Sequence, residues 1–322
     1  MRSSLTILAV SLAASLGVAQ TSSTPGQAAS PAGQTQGQSS TQPAAASGTQ
    51  AQPSSAAGHV PQAKTQEEFK AYQEVATKSD PAALGAAVDG FAAKFPNSDL
   101  REILYVHAME LYQQSNNTEQ ELAMGRKAIA IDPTDPVPLI HVASALAENI
   151  RDTDFDREDR LHEAAKDAQA AINNIDTGLQ VPPNTPPEKV ALVKTNIVAL
   201  AYETLGMISL NEKDYAAAEQ RLLKAVDARK SSPDAVVYLR LSVAQDHLAK
   251  YPQALESANK AVDLAQPGSV AQNLAKQQQA RLQKLVTSGP SSGPAGPPAQ
   301  PAPAVQPATG QPSTTPPAPP QH

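Results

Sequence analysis

The chain of 322 residues has no cysteine and no tryptophan, and aromatic residues make up only 3% of it. Without cysteine it can form no disulfide, carry no lipid-modified cysteine and hold no cysteine-based zinc or iron–sulfur site. Its net charge of −6 is mild, and no long run of one sign interrupts the sequence. Binding to nucleic-acid phosphates needs clustered basic residues, so we expect no nucleic-acid partner.

Long apolar runs are also scarce, and the one that stands out lies near the amino terminus. Arg2 precedes about 15 small and aliphatic residues at positions 5–19, which are too few for a membrane span of about 20 residues. Gly17 and Ala19 are small enough for a signal peptidase. We predict a signal peptide over residues 1–19, cleaved near Ala19, and a periplasmic or secreted protein that meets the membrane only through this segment before cleavage. An uncleaved membrane anchor is the alternative.

Two segments lack the large apolar residues that a folded core needs. Residues 20–64 are mainly Gln, Ser, Ala, Thr, Pro and Gly, and many of the 29 prolines fall in residues 288–322. Such segments cannot bury enough apolar area to offset the entropy of ordering them. We predict a disordered linker, a disordered Pro-rich tail and a folded domain between them over residues 65–287.

The folded segment shows paired helical patterns. One apolar stripe at spacings of three and four consists of Ile197, Leu200, Ala201, Leu205 and Ile208. After the break at residues 211–214, a second stripe consists of Tyr215, Ala218, Leu222, Ala225 and Val226. Two amphipathic helices joined by about four residues pack antiparallel, because the connection is too short for another arrangement.

The same plan recurs 36 residues later, as the equivalent alanines Ala225 and Ala261 show. One unit carries Tyr202-x2-Leu205-Gly206, then Ala218-x3-Leu222 and Ala225; the next carries Tyr238-x2-Leu241-Ser242, then Ala254-x3-Ala258 and Ala261. These units resemble the tetratricopeptide repeat, and residues 91–98 (FAAKFPNS) are similar to segments of exported bacterial cell-envelope proteins of that family. They depart from it at Ser209, which replaces a tyrosine, at Ser242, which replaces a glycine, and at Pro233, which comes late.

The resemblance implies an all-α, right-handed superhelical solenoid of antiparallel helix pairs. Its clearest repeats are residues 190–233 and 234–267, with a capping helix over about 269–285. Earlier units are assigned from the spacing of their apolar residues. The equivalent positions are Phe91, Ala128, Ala171, Ala225 and Ala261. The two long intervals among them require insertions near residues 151–158 and 177–187. Glu121 and Gly125 stand where the repeat has a small and an aromatic residue, which predicts loose packing of that helix.

Catalytic signals are missing from the sequence. None of the six histidines has the spacing of an H-E-x-x-H site, and no G-x-S-x-G elbow or phosphate-binding glycine loop is present. We therefore expect no enzyme, no cofactor, no metal and no small-molecule substrate. One alternative is a calcium loop at Asp152, Asp154, Asp156 and Glu163, although Arg157 replaces its turn glycine. A solvated loop between helices explains the same residues.

Tetratricopeptide proteins usually bind peptides on the concave face of their first helices, so we predict a scaffold for a protein or peptide partner. Arg240 is the only obvious cation among the outward positions, which departs from the subgroup that clamps a terminal carboxylate. The groove candidates are Val106, Glu110, Gln113, Glu203, Met207, Leu210, Val243 and His247. The alternative function is a structural or tethering accessory of cell-envelope assembly that uses the Pro-rich tail; deleting that tail would distinguish the two.

Overall fold

The computed structural model describes residues 61–182 and 184–288. The predicted signal peptide, all but the last four residues of the linker, and the tail after residue 288 lie outside the described residues. Within those two stretches the chain forms helices and no strand. The eleven helices are α1 (Gln66–Ala76), α2 (Pro81–Lys94), α3 (Leu100–Gln114), α4 (Thr118–Ile131), α5 (Pro136–Glu148), α6 (Arg157–Asn174), α7 (Pro187–Asn211), α8 (Tyr215–Ala228), α9 (Ala235–His247), α10 (Tyr251–Leu264) and α11 (Val270–Ser288).

Most helices begin at a residue that satisfies the free backbone N–H groups of the first turn. Asp80, Asp135 and Asp234 each accept such a bond through the side chain. Thr65, Asn117 and Asp214 do the same for α1, α4 and α8. Proline, whose fixed φ suits the first turn, opens α2, α5 and α7. These local signals place the breaks between the helices.

The helices pack in sequence order, as the predicted tetratricopeptide-type solenoid requires. The most extensive contacts join α3 to α4, α5 to α6, α7 to α8 and α9 to α10, and each second helix also contacts the first helix of the next pair. The first helices α1, α3, α5, α7, α9 and α11 contact one another in that order and so form one layer. Contacts between neighbours only are the defining property of a repeat solenoid.

The core consists of four apolar clusters instead of a single one. The first joins α1 to α4, the second joins α5 to α7, the third lies mainly between α8 and α9, and the fourth lies between α10 and α11. The five positions predicted to be equivalent are all buried, with at most 3% of each residue exposed: Phe91, Ala128, Ala171, Ala225 and Ala261.

Small residues permit close approach within pairs. A Cβ atom on Gly206 would lie 2.7 Å from Leu222 Cγ, so the α7–α8 pair needs the glycine of the repeat pattern. On α4, a Cβ atom on Gly125 would overlap Val142 Cγ2, and Glu121 is buried as well. The prediction that α4 is loosely packed is therefore wrong. Glycine here makes room for the large side chains of the neighbouring helices.

The two predicted insertions are accommodated differently. Between α5 and α6 the chain makes a loop, whereas between α6 and α7 it makes a loop that is followed by extra turns of helix, giving α7 25 residues. A Cβ atom on Gly178 would overlap the Thr134 carbonyl oxygen, so this second loop lies directly against the α4–α5 turn. Among the described helices, α7 alone has the length and apolarity of a membrane span, but 56% of its most apolar window is buried. Its place at the centre of the solenoid explains that composition.

Candidate peptide-binding surface

The side of the first-helix layer that carries the predicted residues, formed by α3, α5, α7, α9 and α11, is called here the first-helix face. Polar contacts bridge three of its seams. Gln113 Nε2 lies 3.1 Å from His141 Nδ1 across the α3–α5 seam. Arg240 Nη1 lies 2.5 Å from Glu203 Oε1 across the α7–α9 seam. Asp246 on α9 accepts a bond from Gln278 on α11. These bridges hold neighbouring first helices in register and place the remaining groups of the face.

On α3 the predicted residues Val106, Glu110 and Gln113 are all partly buried. Val106 packs against the first apolar cluster. The carboxyl of Glu110 has no hydrogen bond or ion pair to any residue in 61–182 or 184–288, and burial raises its pKa to about 7. A carboxyl that is partly desolvated and lacks a cation is a favourable place for a basic group from a partner.

The α5 part of the first-helix face exposes almost no side chain. Ile140, His141 and Ser144 are all buried, and burial lowers the pKa of the His141 imidazole to about 4. The imidazole is therefore neutral at physiological pH, and Gln113 donates to its Nδ1 atom. Sequence reasoning predicted no candidate on this helix. The structure places α5 as a packed partition between the α3 residues and those on α7 and α9.

On α7, Glu203 is buried, with 3% of the residue exposed. It pairs with Arg240 and, at 3.7 Å, with Arg229, which also lies 3.3 Å from Asp234. Burial raises the pKa of Glu203, while Arg240 and then Arg229 oppose that shift. Glu203 and Arg240 thus pair with each other between repeats, although the sequence predicts Arg240 as an outward-facing cation.

Met207 and Leu210, the other candidates on α7, are partly buried. Met207 packs against the α5–α7 cluster and Leu210 against the α8–α9 cluster. Each therefore contributes to packing and offers only the remaining part of its side chain to a partner.

The carboxyl-terminal part of the face contains a cavity of about 520 Å³. Two predicted residues, Val243 and His247, line it together with Asp246, Tyr251, Gln278 and Arg281. The His247 ring stacks on the Tyr215 ring with 4.0 Å between their centres and 4° between their planes. Arg281 pairs with Asp246 and remains half exposed. The structure thus brings α9 candidates together with α11 residues that sequence reasoning missed.

Gln278 and Arg281 were missed because the sequence predicts α11 only as a capping helix. The signal that could have found them is the alternation of helices: the helix that follows α10 occupies the place of a first helix and must extend the first-helix face. Its buried residues Ala275 and Leu282 face the preceding pair, while Lys276 and Gln283 are exposed. The helix therefore caps the solenoid and also lines its surface.

Several acidic residues in and beside the loop between α5 and α6 pair with arginines. Arg157 lies 3.8 Å from Asp152 and 2.6 Å from Glu158, and Arg160 lies 3.4 Å from Asp154. Arg126 reaches Glu163 from α4 with two bonds of 2.8 Å. No group of three or more histidine or acidic side chains is arranged to hold a metal within 61–182 and 184–288. The acidic residues of this region therefore form ion pairs and surface contacts.

No protein-family model matches this chain, and no curated protein matches its sequence. Several solved structures are similar in fold. The MamA protein is 14% identical with a TM-score of 0.45, covering 67% of this chain and 96% of that chain. PilW, a widely conserved type IV pilus biogenesis factor, is 14% identical with a TM-score of 0.43, covering 70% and 96%. A thermophilic tetratricopeptide protein of Thermus thermophilus is 14% identical with a TM-score of 0.40, covering 68% and 98%. The helix order and contacts within this chain are those of a tetratricopeptide-type solenoid.

Proposed function

We propose that the protein is a non-enzymatic scaffold that binds a peptide or protein segment on its first-helix face. Two places on that face carry the proposal: the carboxyl of Glu110, which has no partner within the described residues, and the cavity beside Val243 and His247. Both lie on first helices whose seams are fixed by polar bridges, so a partner meets a preorganised surface. Such a surface binds without any chemical step.

Site-specific photo-crosslinking in the cells that make the protein tests this function. A crosslinking residue replaces Glu110, Met207 or Val243 on the first-helix face, or Gln169 or Gln220, which are exposed on second helices. We expect one crosslinked partner from the face positions and none from the second-helix positions. Equal crosslinking from both sets, or none from the face, would contradict the proposal.

The proposed setting is outside the cytoplasm, with a signal peptide over residues 1–19, a linker over 20–64, the solenoid over 65–287 and a Pro-rich tail over 288–322. Its support is the apolar amino-terminal stretch that follows Arg2 and the composition of the two low-complexity segments. Mass spectrometry of the mature protein tests it. An amino terminus near residue 20 is expected, and an intact Met1 on the mature protein excludes cleavage.

A further inference from the structure

The two halves of the solenoid carry opposite net charge. Residues 61–182 contain 11 Lys and Arg against 21 Asp and Glu, whereas residues 184–288 contain 13 Lys and Arg against 10 Asp and Glu. The amino-terminal half is therefore strongly acidic and the carboxyl-terminal half mildly basic. Almost all formal charge of the chain lies in these two stretches, so the contrast produces an electric field along the length of the solenoid.

The contrast extends to the first-helix face. At its acidic end Glu110 is partly buried and has no cation beside it within the described residues. At its basic end lies α11, whose sequence contains three basic residues and no acidic residue. Arg281 lines the cavity and is 53% exposed along its side chain even though it pairs with Asp246. The middle of the face offers the partly buried apolar side chains of Met207, Leu210 and Val243.

We infer that the partner segment on this face is bipolar, with basic residues over α3, apolar residues over α7 and α9, and acidic residues over α11. This inference rests on the proposed function and adds the chemistry and orientation of the partner. Opposite charges at the two ends of the face determine the direction in which the segment binds, because the reversed orientation places like charges next to each other. Four steps of about 8–10 Å between first helices separate α3 from α11, a span of about 35 Å. An extended segment of about eleven residues covers it.

Two synthetic peptides of identical composition test the inference against the full chain. The first has two lysines at one end, two glutamates at the other and alternating alanine and leucine between them; the second distributes the same four charges evenly. We expect the first to bind about tenfold more tightly in low salt. A photo-crosslinker beside its lysines should react with α3, and one beside its glutamates should react with α11.

Variants of the protein locate the charges that matter. Glu110→Gln removes the charge but keeps the shape of the side chain, and Arg281→Gln removes a cation from the cavity. Each variant should weaken binding of the bipolar peptide about three- to tenfold. Glu74→Gln, an exposed site on α1, is the matched control and should leave binding unchanged. Circular dichroism of each variant verifies that the helices remain.

The outcomes separate this inference from the proposed function. Equal binding of the two peptides, or crosslinks from both ends to the same helix, overturns the polarity while the scaffold function stands. Binding of neither peptide, with a partner still crosslinked in cells, overturns the bipolar chemistry alone. If the protein self-associates and both Glu110→Gln and Arg281→Gln abolish this, the occupant of the face is a second copy of the chain. That result overturns the inference of a bipolar peptide partner. No crosslinked partner at all contradicts the function itself.

Discussion

Lys224 Nζ lies 5.1 Å from the centre of the Tyr202 ring, across the α7–α8 pair. The same contact recurs between Lys127 and Tyr105 at 5.4 Å and between Lys260 and Tyr238 at 5.5 Å. In all three pairs the lysine follows the tyrosine by the same number of residues, so this cation–π contact is part of the repeat. It is absent from the α5–α6 pair among the described helices, where Leu139 takes the place of the tyrosine.

Replacing Lys224 by glutamine should lower the free energy of unfolding by about 0.5–1 kcal/mol, because the cation that attracts the Tyr202 ring is removed. Urea denaturation followed by circular dichroism measures the change. Lys189→Gln, at an exposed site in the first turn of α7, removes the same charge without a ring beside it. Equal losses in the two variants would show that net charge, and not the ring contact, is responsible.

Gly125→Ala should destabilise the protein by about 1–3 kcal/mol, because the added methyl group overlaps the Val142 side chain. Adding Val142→Ala should restore part of the loss. Gly90→Ala is the matched control: its Cβ meets nothing within 4 Å, and alanine favours a helix more than glycine does. Thermal melts of the three variants check the ranking, and a melting temperature for Gly125→Ala at or above the wild-type value would contradict it.

A buried carboxyl pair should make stability fall as pH rises. Glu102 and Asp135 share a side-chain hydrogen bond, and burial together with Asp135 raises the pKa of Glu102 from 4.5 to about 9. The folded protein thus binds this proton more tightly than the unfolded chain does. The stabilisation is complete below about pH 4.5 and is lost as pH rises toward 9, by up to about 1.4 kcal/mol per pH unit.

Glu102→Gln should flatten this dependence, because an amide can donate to Asp135 without titrating. Glu74→Gln, at an exposed position, should leave the slope as in the wild type. Urea midpoints at several pH values between about 5 and 9 measure both slopes. An unchanged slope in Glu102→Gln would assign the pH dependence to other groups.

Glu203→Ala should cost about 3–5 kcal/mol, because it leaves the buried Arg229 and the partly buried Arg240 without their common partner. Replacing both Glu203 and Arg240 by methionine should cost much less, since no buried charge of that pair then remains. Glu256→Ala removes an exposed partner of Lys260 and should cost less than about 0.5 kcal/mol. Chemical denaturation compares the three, and a mild effect of Glu203→Ala would show that water reaches the cluster.

The periodicity of apolar residues was enough to predict the helix pairs, because burying one stripe per helix is the main requirement of this fold. The α7–α8 pair is predicted directly by Tyr202, Gly206 and Leu222, which match the repeat pattern. The packing of Gly125 was not predictable, because the position of the Val142 side chain opposite it depends on the angle between α4 and α5. The extra turns of α7 were missed for a related reason: residues 187–196 lack a regular stripe, and the preceding loop determines where the helix begins.

The candidate surface was predictable only in part. Its helices follow from the alternation of first and second helices, so Val106, Glu110, Val243 and His247 lie on the expected layer. Burial of Glu203 depends on two arginines, one of which, Arg229, lies at the end of a different helix. Ion pairs between repeats join residues that are far apart in sequence, and no spacing rule identifies them.

The division of the core into four clusters has a mechanical consequence. The cluster between α10 and α11 contains only Ala254, Ala258 and Leu282 as buried members, whereas the α5–α7 cluster is several times larger. Tension along the solenoid should therefore separate α11 from α10 before it disrupts the α5–α7 centre. A partner that binds at Arg281, as proposed, would therefore contact a helix that a small force can displace.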